Sequence, residues 1–264
     1  MTDSQTDMPP TDLTEADEAR IAALATRQRR ANGALMKAVN FVGDQVEDTL
    51  KLLPKGARGQ IDAAARAALT RSYEVAARTR EGRFAGRVNT DAGHKALTAI
   101  SGALGGFGGL PTALAELPVA TTMIFRAVQG VAAQYGEDPA DPQVRAQCLA
   151  VFGAGGPGTE EGGVDTSFIS ARLGLTGAAV HGLIARIAPR FGAILTQKLA
   201  SQAVPIIGAA AGAGTNYAFT DYYVEMAHVH FGLRKLCREL GEDAVLNHFH
   251  KVLAGADLPA RRQT

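Results

Sequence analysis

The sequence has 264 residues, with 27 Lys and Arg against 26 Asp and Glu, 30 glycines and no tryptophan. The nearly balanced charge gives no basic field of the kind that concentrates nucleic acid, so we exclude nucleic acid as a partner. Cys148 and Cys237 are far apart and lack metal-type spacing, so neither a disulfide framework nor a structural zinc site is indicated.

The N-terminal segment is polar and acidic. Its first 19 residues hold six acidic residues, no basic residue and the pair Pro9-Pro10, so we predict a disordered tail over 1–19. The segment has neither a basic start nor an apolar core, so we expect no secretory signal and a cytoplasmic protein. Thr14 and Asp17 have the spacing of a capping box, which predicts that the first helix begins close to them.

Two amphipathic helices are predicted next. Apolar residues recur at helical spacing from Leu35 to Leu53, and Pro54 is expected to end this helix, which begins near residue 19. Residues 60–80 are rich in alanine and carry arginines on a separate face, which predicts a second, solvated helix.

The stretch 96–135 is apolar, and the only charged residues between Lys95 and Glu137 are Glu116 and Arg126. Pro111 and Pro118 predict a break between two helices in this stretch. If Glu116 is buried it needs a cation or several hydrogen-bond donors, and Arg126 is the natural partner. Both a structural ion pair and a functional site are compatible with this pattern.

The middle of the chain is predicted to form a helix, a loop and a further helix. Asp141-Pro142 is a helix start signal, and the helix is expected to run through Cys148 to Phe152. Residues 153–165 are rich in glycine and predict the main internal loop. The helical pattern returns at Thr166 and continues to Lys198.

The second apolar segment, 199–220, contains no charged residue. Its length would span a bilayer, but its glycines, Pro205 and polar residues favour a buried core helix. A membrane-surface segment and a true span are the alternatives. An amphipathic helix is predicted to follow until Gly241, and then a short helix over 244–253.

These elements together predict an all-α fold, a multi-helix bundle with two central apolar helical segments rich in glycine and alanine. We expect a single helical domain over 20–257 and a flexible tail over 258–264. The oligomeric state is left open.

Several short motifs carry a family resemblance. They are the glycine-rich stretch before Leu110-Pro111, Glu116-Leu117-Pro118, Arg126, Tyr135-Gly136, Pro205-x-x-Gly208 and Asn216-Tyr217-Ala218-Phe219. In this order they resemble the EcsC protein family of bacteria, over roughly residues 33–235. The resemblance implies a helical fold, and it carries no activity and no site residue over to this chain.

The candidate site is a polar cluster contributed by the two apolar segments: Glu116, Arg126, Asn216, Tyr217 and Asp221. Tyr217, Asp221 and His228 have the spacing of one helical face. The cluster would bind a ligand or stabilise the fold.

Metal and cofactor sites are only weakly indicated. Glu225 and His228 form a Glu-x-x-His pair, which is a weak candidate for a metal ligand set in a helical bundle. Such pairs arise easily by chance, so we expect no metal and no cofactor. His228, His230, His248 and His250 are instead expected at the surface or at its boundary.

Catalytic motifs are weak as well. The serines lack a nucleophile elbow, and neither cysteine has a histidine nearby in sequence. The glycine runs lack the strand and the Lys-Ser/Thr of a phosphate-binding loop. Whether the protein is an enzyme therefore stays open.

The favoured function is a non-catalytic module that binds a membrane surface, a lipid or a partner. The arginine-rich stretches 58–87 and 172–190 would face anionic headgroups, or they are simply solvated. The alternative is a hydrolase or metal-dependent enzyme with a polar pocket between the two apolar segments. A third hypothesis is a passive partner of a transporter or envelope complex. Each is compatible with a cytoplasmic protein at the periphery of the inner membrane.

Overall fold

The computed structural model describes residues 13–43, 56–78, 109–154, 163–171, 173, 176–202 and 208–255. In these ranges the chain forms seven α-helices and no β-strand. The helices are α1 Glu15–Gly43, α2 Ala57–Arg78, α3 Gly109–Gln134, α4 Pro142–Ala150, α5 Gly177–Gln202, α6 Gly208–Leu240 and α7 Glu242–Gly255. Short 3-10 helices cover Val151–Gly153 and Thr166–Phe168. The prediction of an all-α fold is confirmed.

Several helix ends follow the local signals in the sequence. At the start of α1, Thr14 Oγ1 lies 2.6 Å from Asp17 Oδ2, and the amide of Asp17 donates back to Thr14 Oγ1 at 3.3 Å. At α4, the amide of Gln143 donates to Asp141 Oδ1 at 2.7 Å. Gly241 follows α6 with a φ of +93°, a left-handed conformation that glycine adopts without a steric penalty.

The first helix begins earlier than the predicted end of the acidic tail. Because α1 begins at Glu15, residues 15–19 are helical, although the sequence placed them in the acidic tail. Residues 1–12, the predicted helix end at Pro54, most of the loop 153–165 and the tail 258–264 lie outside the described residues.

The predicted break between Pro111 and Pro118 is wrong, because α3 is one continuous helix. Pro111 is in the first turn, where backbone amides have no partner within the helix. Pro118 is inside the helix, but the neighbouring Leu117 and Ala120 are buried and hold this turn in the core. Thr122 Oγ1 also donates to the Pro118 carbonyl at 2.7 Å.

The predicted return of helix at Thr166 is also wrong. Residues 166–168 form only a 3-10 turn, in which Asp165 Oδ1 accepts from the Ser167 amide at 3.1 Å. The α-helix begins at Gly177, where Thr176 Oγ1 accepts from the Ala179 amide at 3.2 Å. The side-chain caps of Asp165 and Thr176 therefore set the local structure of this segment.

Helix α6 is the centre of the described core. Its residues 222–224 and 226–233 are buried, and Tyr222 and Tyr223 join the rings of Phe125, Phe152 and Phe191 in one aromatic cluster. Helix α1 lies antiparallel to α6, because Arg20 contacts Glu239 whereas Arg27 contacts Glu225.

Helices α3 and α6 run in the same direction. The Phe152 ring stacks on Phe125 of α3 and on Tyr223 of α6, with centroid distances of 6.1 and 4.9 Å. Further along both helices, Tyr135 contacts His228. The first turns of α3 and α6 therefore lie at the same end of the bundle, which we call the apolar end because these turns belong to the two apolar segments.

The length and apolarity of the helices decide whether one of them could cross a membrane. None of the helices, as far as the structure describes them, combines the length and the apolarity needed to cross a bilayer.

Candidate functional site

One face of α6 carries four of the residues that the sequence singled out. Tyr217, Asp221, Glu225 and His228 follow one another at the spacing of neighbouring helical turns. Exposure falls along this face, because Tyr217 is exposed, Asp221 and Glu225 are half-buried and His228 is buried. The face therefore runs from the apolar end of the bundle into its core.

Glu225 is held by an arginine of α1. Arg27 Nη2 lies 3.2 Å from Glu225 Oε1, and Arg27 Nε donates to Glu225 Oε2. A two-point contact of this kind fixes the position of the carboxylate as well as its charge. Among the described residues, no group of three or more His, Cys, Asp or Glu is arranged to hold a metal ion.

His228 lies against Tyr135. The Tyr135 hydroxyl is 3.4 Å from His228 Nδ1, and the two rings meet edge to face at 5.8 Å. Burial raises the pKa of Tyr135, Glu225 adds to the rise and Arg27 opposes it. The phenol therefore stays protonated near neutral pH and acts as a hydrogen-bonding group.

Arg126 of α3 is half-buried. It donates to Gln129 Oε1 at 3.3 Å and points Nη2 at the Val75 carbonyl, 3.5 Å away on α2. Burial lowers its pKa. The side chains of Glu116 and Asn216 lie outside the described residues, so the Glu116–Arg126 pair and the five-residue cluster stay predictions.

Two histidines are more buried than predicted. His228 and His230 belong to the core, and His230 is only 2% exposed. The expectation that they lie at the surface or its boundary is wrong for both. A signal was present in the sequence, because Met226, Ala227, Val229 and Phe231 surround them with apolar residues on every side of the helix.

His230 is neutral in this environment. Its Nε2 lies 2.8 Å from Gln147 Oε1, and Gln147 Nε2 donates to the Ala171 carbonyl at 2.9 Å. Because that amide oxygen can only accept, Nε2 of His230 carries the proton. Burial, and secondarily the charge of Arg234, lower the pKa of His230 to about 3. The ring is therefore a poor general base near pH 7.

The two cysteines are weak nucleophiles. Both are free and buried. Burial raises the pKa of Cys148 well above its ordinary value and that of Cys237 to about 11. Since the thiolate is the reactive form, both are expected to react slowly near neutral pH.

A cleft of about 490 Å³ lies between α4, the segment 169–171, the end of α6 and the start of α7. Its lining residues are Gln143, Ile169, Ser170, Ala171, Arg234, Cys237, Arg238 and Glu242. None of the five residues of the predicted polar cluster is among them. Sequence reasoning missed this cleft, although Arg234 and Arg238 have the spacing of adjacent helical turns.

Arg234 and Arg238 converge on a single carboxylate. Arg234 Nε lies 3.1 Å from Glu137 Oε1, and Arg238 Nη1 donates to the same oxygen. Arg234 Nη1 also donates to the Ile169 carbonyl at 2.7 Å, which ties the segment before α5 to α6. The pairing joins positions about a hundred residues apart, so no local pattern predicts it.

Two arginines of the predicted arginine-rich stretch 172–190 are paired with an aspartate of the same chain. Arg190 Nη1 lies 2.8 Å from Asp165 Oδ2, and Arg186 Nη2 lies 3.8 Å from the same oxygen. The guanidinium of Arg186 also lies over the Phe168 ring, 4.4 Å from its centroid. These two arginines of α5 therefore stabilise the 3-10 turn after Asp165.

Comparison with known proteins matches most of the chain to a protein family. The model of the EcsC protein family matches residues 34–236, from the second half of α1 to the last turns of α6. No curated protein and no solved structure matches the chain.

Proposed function

The chain belongs to the EcsC protein family, and we propose that it is a non-catalytic module that binds a membrane surface through the apolar end of its bundle. One observation carries the proposal. Val119 is 52% exposed and Tyr217 is 48% exposed, and they are the two large hydrophobic side chains exposed among the described residues. Each belongs to a different one of the two apolar sequence segments.

The helix directions support a common location for these two side chains. Val119 precedes Tyr135 by 16 residues and Tyr217 precedes His228 by 11 residues, which corresponds to about 24 and about 16 Å of helix. Since α3 and α6 run in the same direction from the Tyr135–His228 contact, both side chains lie toward the apolar end.

The chemistry of the pair suits a membrane interface. Tyrosine combines an apolar ring with a hydroxyl and is enriched at the level of lipid headgroups. Fully burying a side chain of valine size contributes about 1.5 to 3 kcal/mol. Stable attachment to a bilayer usually needs more than one such contribution, which two helices at one end would provide.

Val119 lies in a part of α3 that carries little charge, with Glu116 one helical turn before it. Within 96–135 only Glu116 and Arg126 are charged, and the helix presents Val119 outward instead of a polar residue. Exposed apolar side chains that share one end of a helical bundle favour an interaction site there. We propose the lipid bilayer as its partner, which agrees with a cytoplasmic protein at the periphery of the inner membrane.

Co-sedimentation with lipid vesicles tests the proposal. Purified protein is mixed with vesicles of phosphatidylcholine alone or with added phosphatidylglycerol, and the bound fraction is measured. Val119→Asp and Tyr217→Asp are expected to reduce binding about tenfold each, because a charge would replace an apolar contact in the interface. Ala133→Asp is the matched control, since Ala133 is also exposed on α3 but lies near its other end.

Two results would overturn the proposal. The first is the absence of wild-type binding to either kind of vesicle. The second is an equal loss of binding in all three aspartate variants, which would mean that added negative charge, and not the position of the apolar contact, decides binding.

A further inference from the structure

The cleft beside Arg234 and Arg238 lies at the opposite end of the bundle from the apolar end. Arg234 and Arg238 are in the last two turns of α6, whereas the apolar end contains its first turns. The volume of about 490 Å³ falls within the range of sites that hold small molecules. A ligand in this cleft would therefore be separate from the proposed membrane contact.

Positive charge is in excess on one wall of the cleft. Arg234 and Arg238 share one carboxylate oxygen, Oε1 of Glu137. A guanidinium has five N–H donors. Contacts with Glu137 and the Ile169 carbonyl use two donors of Arg234, and the contact with Glu137 uses one of Arg238. Donors on both side chains are left for a further acceptor.

The Arg234 guanidinium is held in place before any ligand binds. Arg234 is fixed from two sides, by Glu137 and by the Ile169 carbonyl, and its side chain is only 17% exposed. Arg238 is 49% exposed and reaches solvent from the same carboxylate. Arg234 therefore loses little side-chain entropy on binding, which favours affinity, and Arg238 adds a second charge that can adjust to the ligand.

The remaining lining fits a small polar ligand. Ser170 adds a hydroxyl and Cys237 presents a thiol from α6, whereas the Gln143 amide already donates to a backbone carbonyl, that of Ala171 or Leu173. Glu242, at the start of α7, is the one acidic residue of the lining. Its carboxylate would repel an anion, so a bound anion is expected on the side of the arginines.

We infer that this cleft binds a small oxyanion, a phosphate or carboxylate group of a soluble molecule, through Arg234 and Arg238. Arginine matches both groups because its planar fork can donate two parallel hydrogen bonds to two oxygens. The inference is independent of the proposed membrane function, because it concerns other residues at the other end of the molecule.

Titration with inorganic phosphate at constant ionic strength tests the inference, with succinate as the carboxylate probe. Binding is followed through the Nε–Hε NMR signals of arginine in ¹⁵N-labelled protein. A second readout is the rate at which iodoacetamide alkylates Cys237, measured by mass spectrometry at alkaline pH. A ligand in the cleft should shift the signals of Arg234 and Arg238 and slow this alkylation.

Matched variants assign the binding to the cleft. Arg238→Gln is expected to weaken binding about tenfold, the loss that follows from one charge-assisted hydrogen bond. Arg20→Gln is the control, because Arg20 is also ion-paired and has a similar exposure, 47% against 49%. Glu242→Gln should tighten binding by removing repulsion. Ser170→Leu should fill part of the cleft while both arginines are kept.

The outcomes separate the alternatives. Tighter binding of phosphate than of succinate, or the reverse, identifies the preferred group and supports the inference either way. Equal affinity of the wild type and the Arg238→Gln and Ser170→Leu variants would overturn it. So would the absence of any shift at Arg234 and Arg238, or phosphate binding that leaves the alkylation of Cys237 unchanged. Vesicle binding is measured separately, so either proposal can fail alone.

Discussion

Lowering the pH from 7 to 5 is expected to reduce the free energy of unfolding by about 2 kcal/mol through His230 alone. In the folded protein the pKa of this side chain is lowered from 6.5 to about 3, chiefly by burial. The unfolded chain takes up a proton below pH 6.5, whereas the folded protein does not until about pH 3. The stability that comes from keeping His230 neutral is therefore fully present above pH 6.5, and it decreases as the pH falls from 6.5 towards 3.

The magnitude follows from the size of the window. Each pH unit between the two pKa values changes the free energy of unfolding by about 1.4 kcal/mol. The step from 6.5 to 5 covers about 1.5 units, which gives about 2 kcal/mol. The contacts of His230 with Gln147, and of Gln147 with the Ala171 carbonyl, hold the ring in its neutral form.

Denaturant unfolding of the wild type and of His230→Gln at pH 7, 6 and 5 measures this effect. The glutamine amide can still donate to Gln147, but it does not titrate. The loss of stability between pH 7 and 5 should be smaller by about 2 kcal/mol in the variant. His250→Gln, at an exposed position of α7, is the control for replacing a histidine with glutamine.

Parallel stability curves would refute this reasoning. If wild type and His230→Gln lose the same free energy between pH 7 and 5, then His230 either becomes protonated in the folded state or reaches water in this range. A lower stability of the variant at all pH values is expected from its smaller volume and leaves the conclusion unaffected, because only the pH dependence is compared.

Two further predictions concern packing and charge. Gly153→Ala is expected to destabilise the fold by about 1 to 3 kcal/mol, because a Cβ there would lie 2.9 Å from Cγ2 of Ile187, a β-branched side chain that cannot turn away. Gly130→Ala in α3 should instead stabilise the fold by about 0.5 to 1 kcal/mol, since nothing lies within 4 Å of its Cβ position. Thermal or denaturant unfolding measures both variants. A higher stability of Gly153→Ala than of Gly130→Ala would contradict the packing. Glu225→Gln should cost about 1 kcal/mol by breaking the part-buried pair with Arg27, and an unchanged unfolding midpoint would show that this pair adds nothing to stability.

Local sequence patterns were enough to predict the main helices and many of their ends. Apolar periodicity predicted the main helices, and the caps at Thr14, Asp141 and Gly241 lie where local signals place them. These features depend on hydrogen bonds and side-chain spacing within a few residues, which a linear pattern contains.

Local signals failed where packing outweighed them. Pro118 predicted a break, but burial of Leu117 and Ala120 keeps α3 continuous around it. The polar character of His228 and His230 suggested the boundary of the protein, whereas partners from distant helices satisfy them in the core. In both cases the free energy of packing exceeded the local preference.

The positions of the candidate sites depend on the tertiary structure. Tyr217 was named from the sequence, but only the parallel arrangement of α3 and α6 brings it to the same end as Val119. The cleft was absent from the sequence analysis, because it depends on Arg234 and Glu137, which are 97 positions apart. Contacts of this range exist only once the helices have packed, since a helix specifies which residues share its face but not which helix will cover that face.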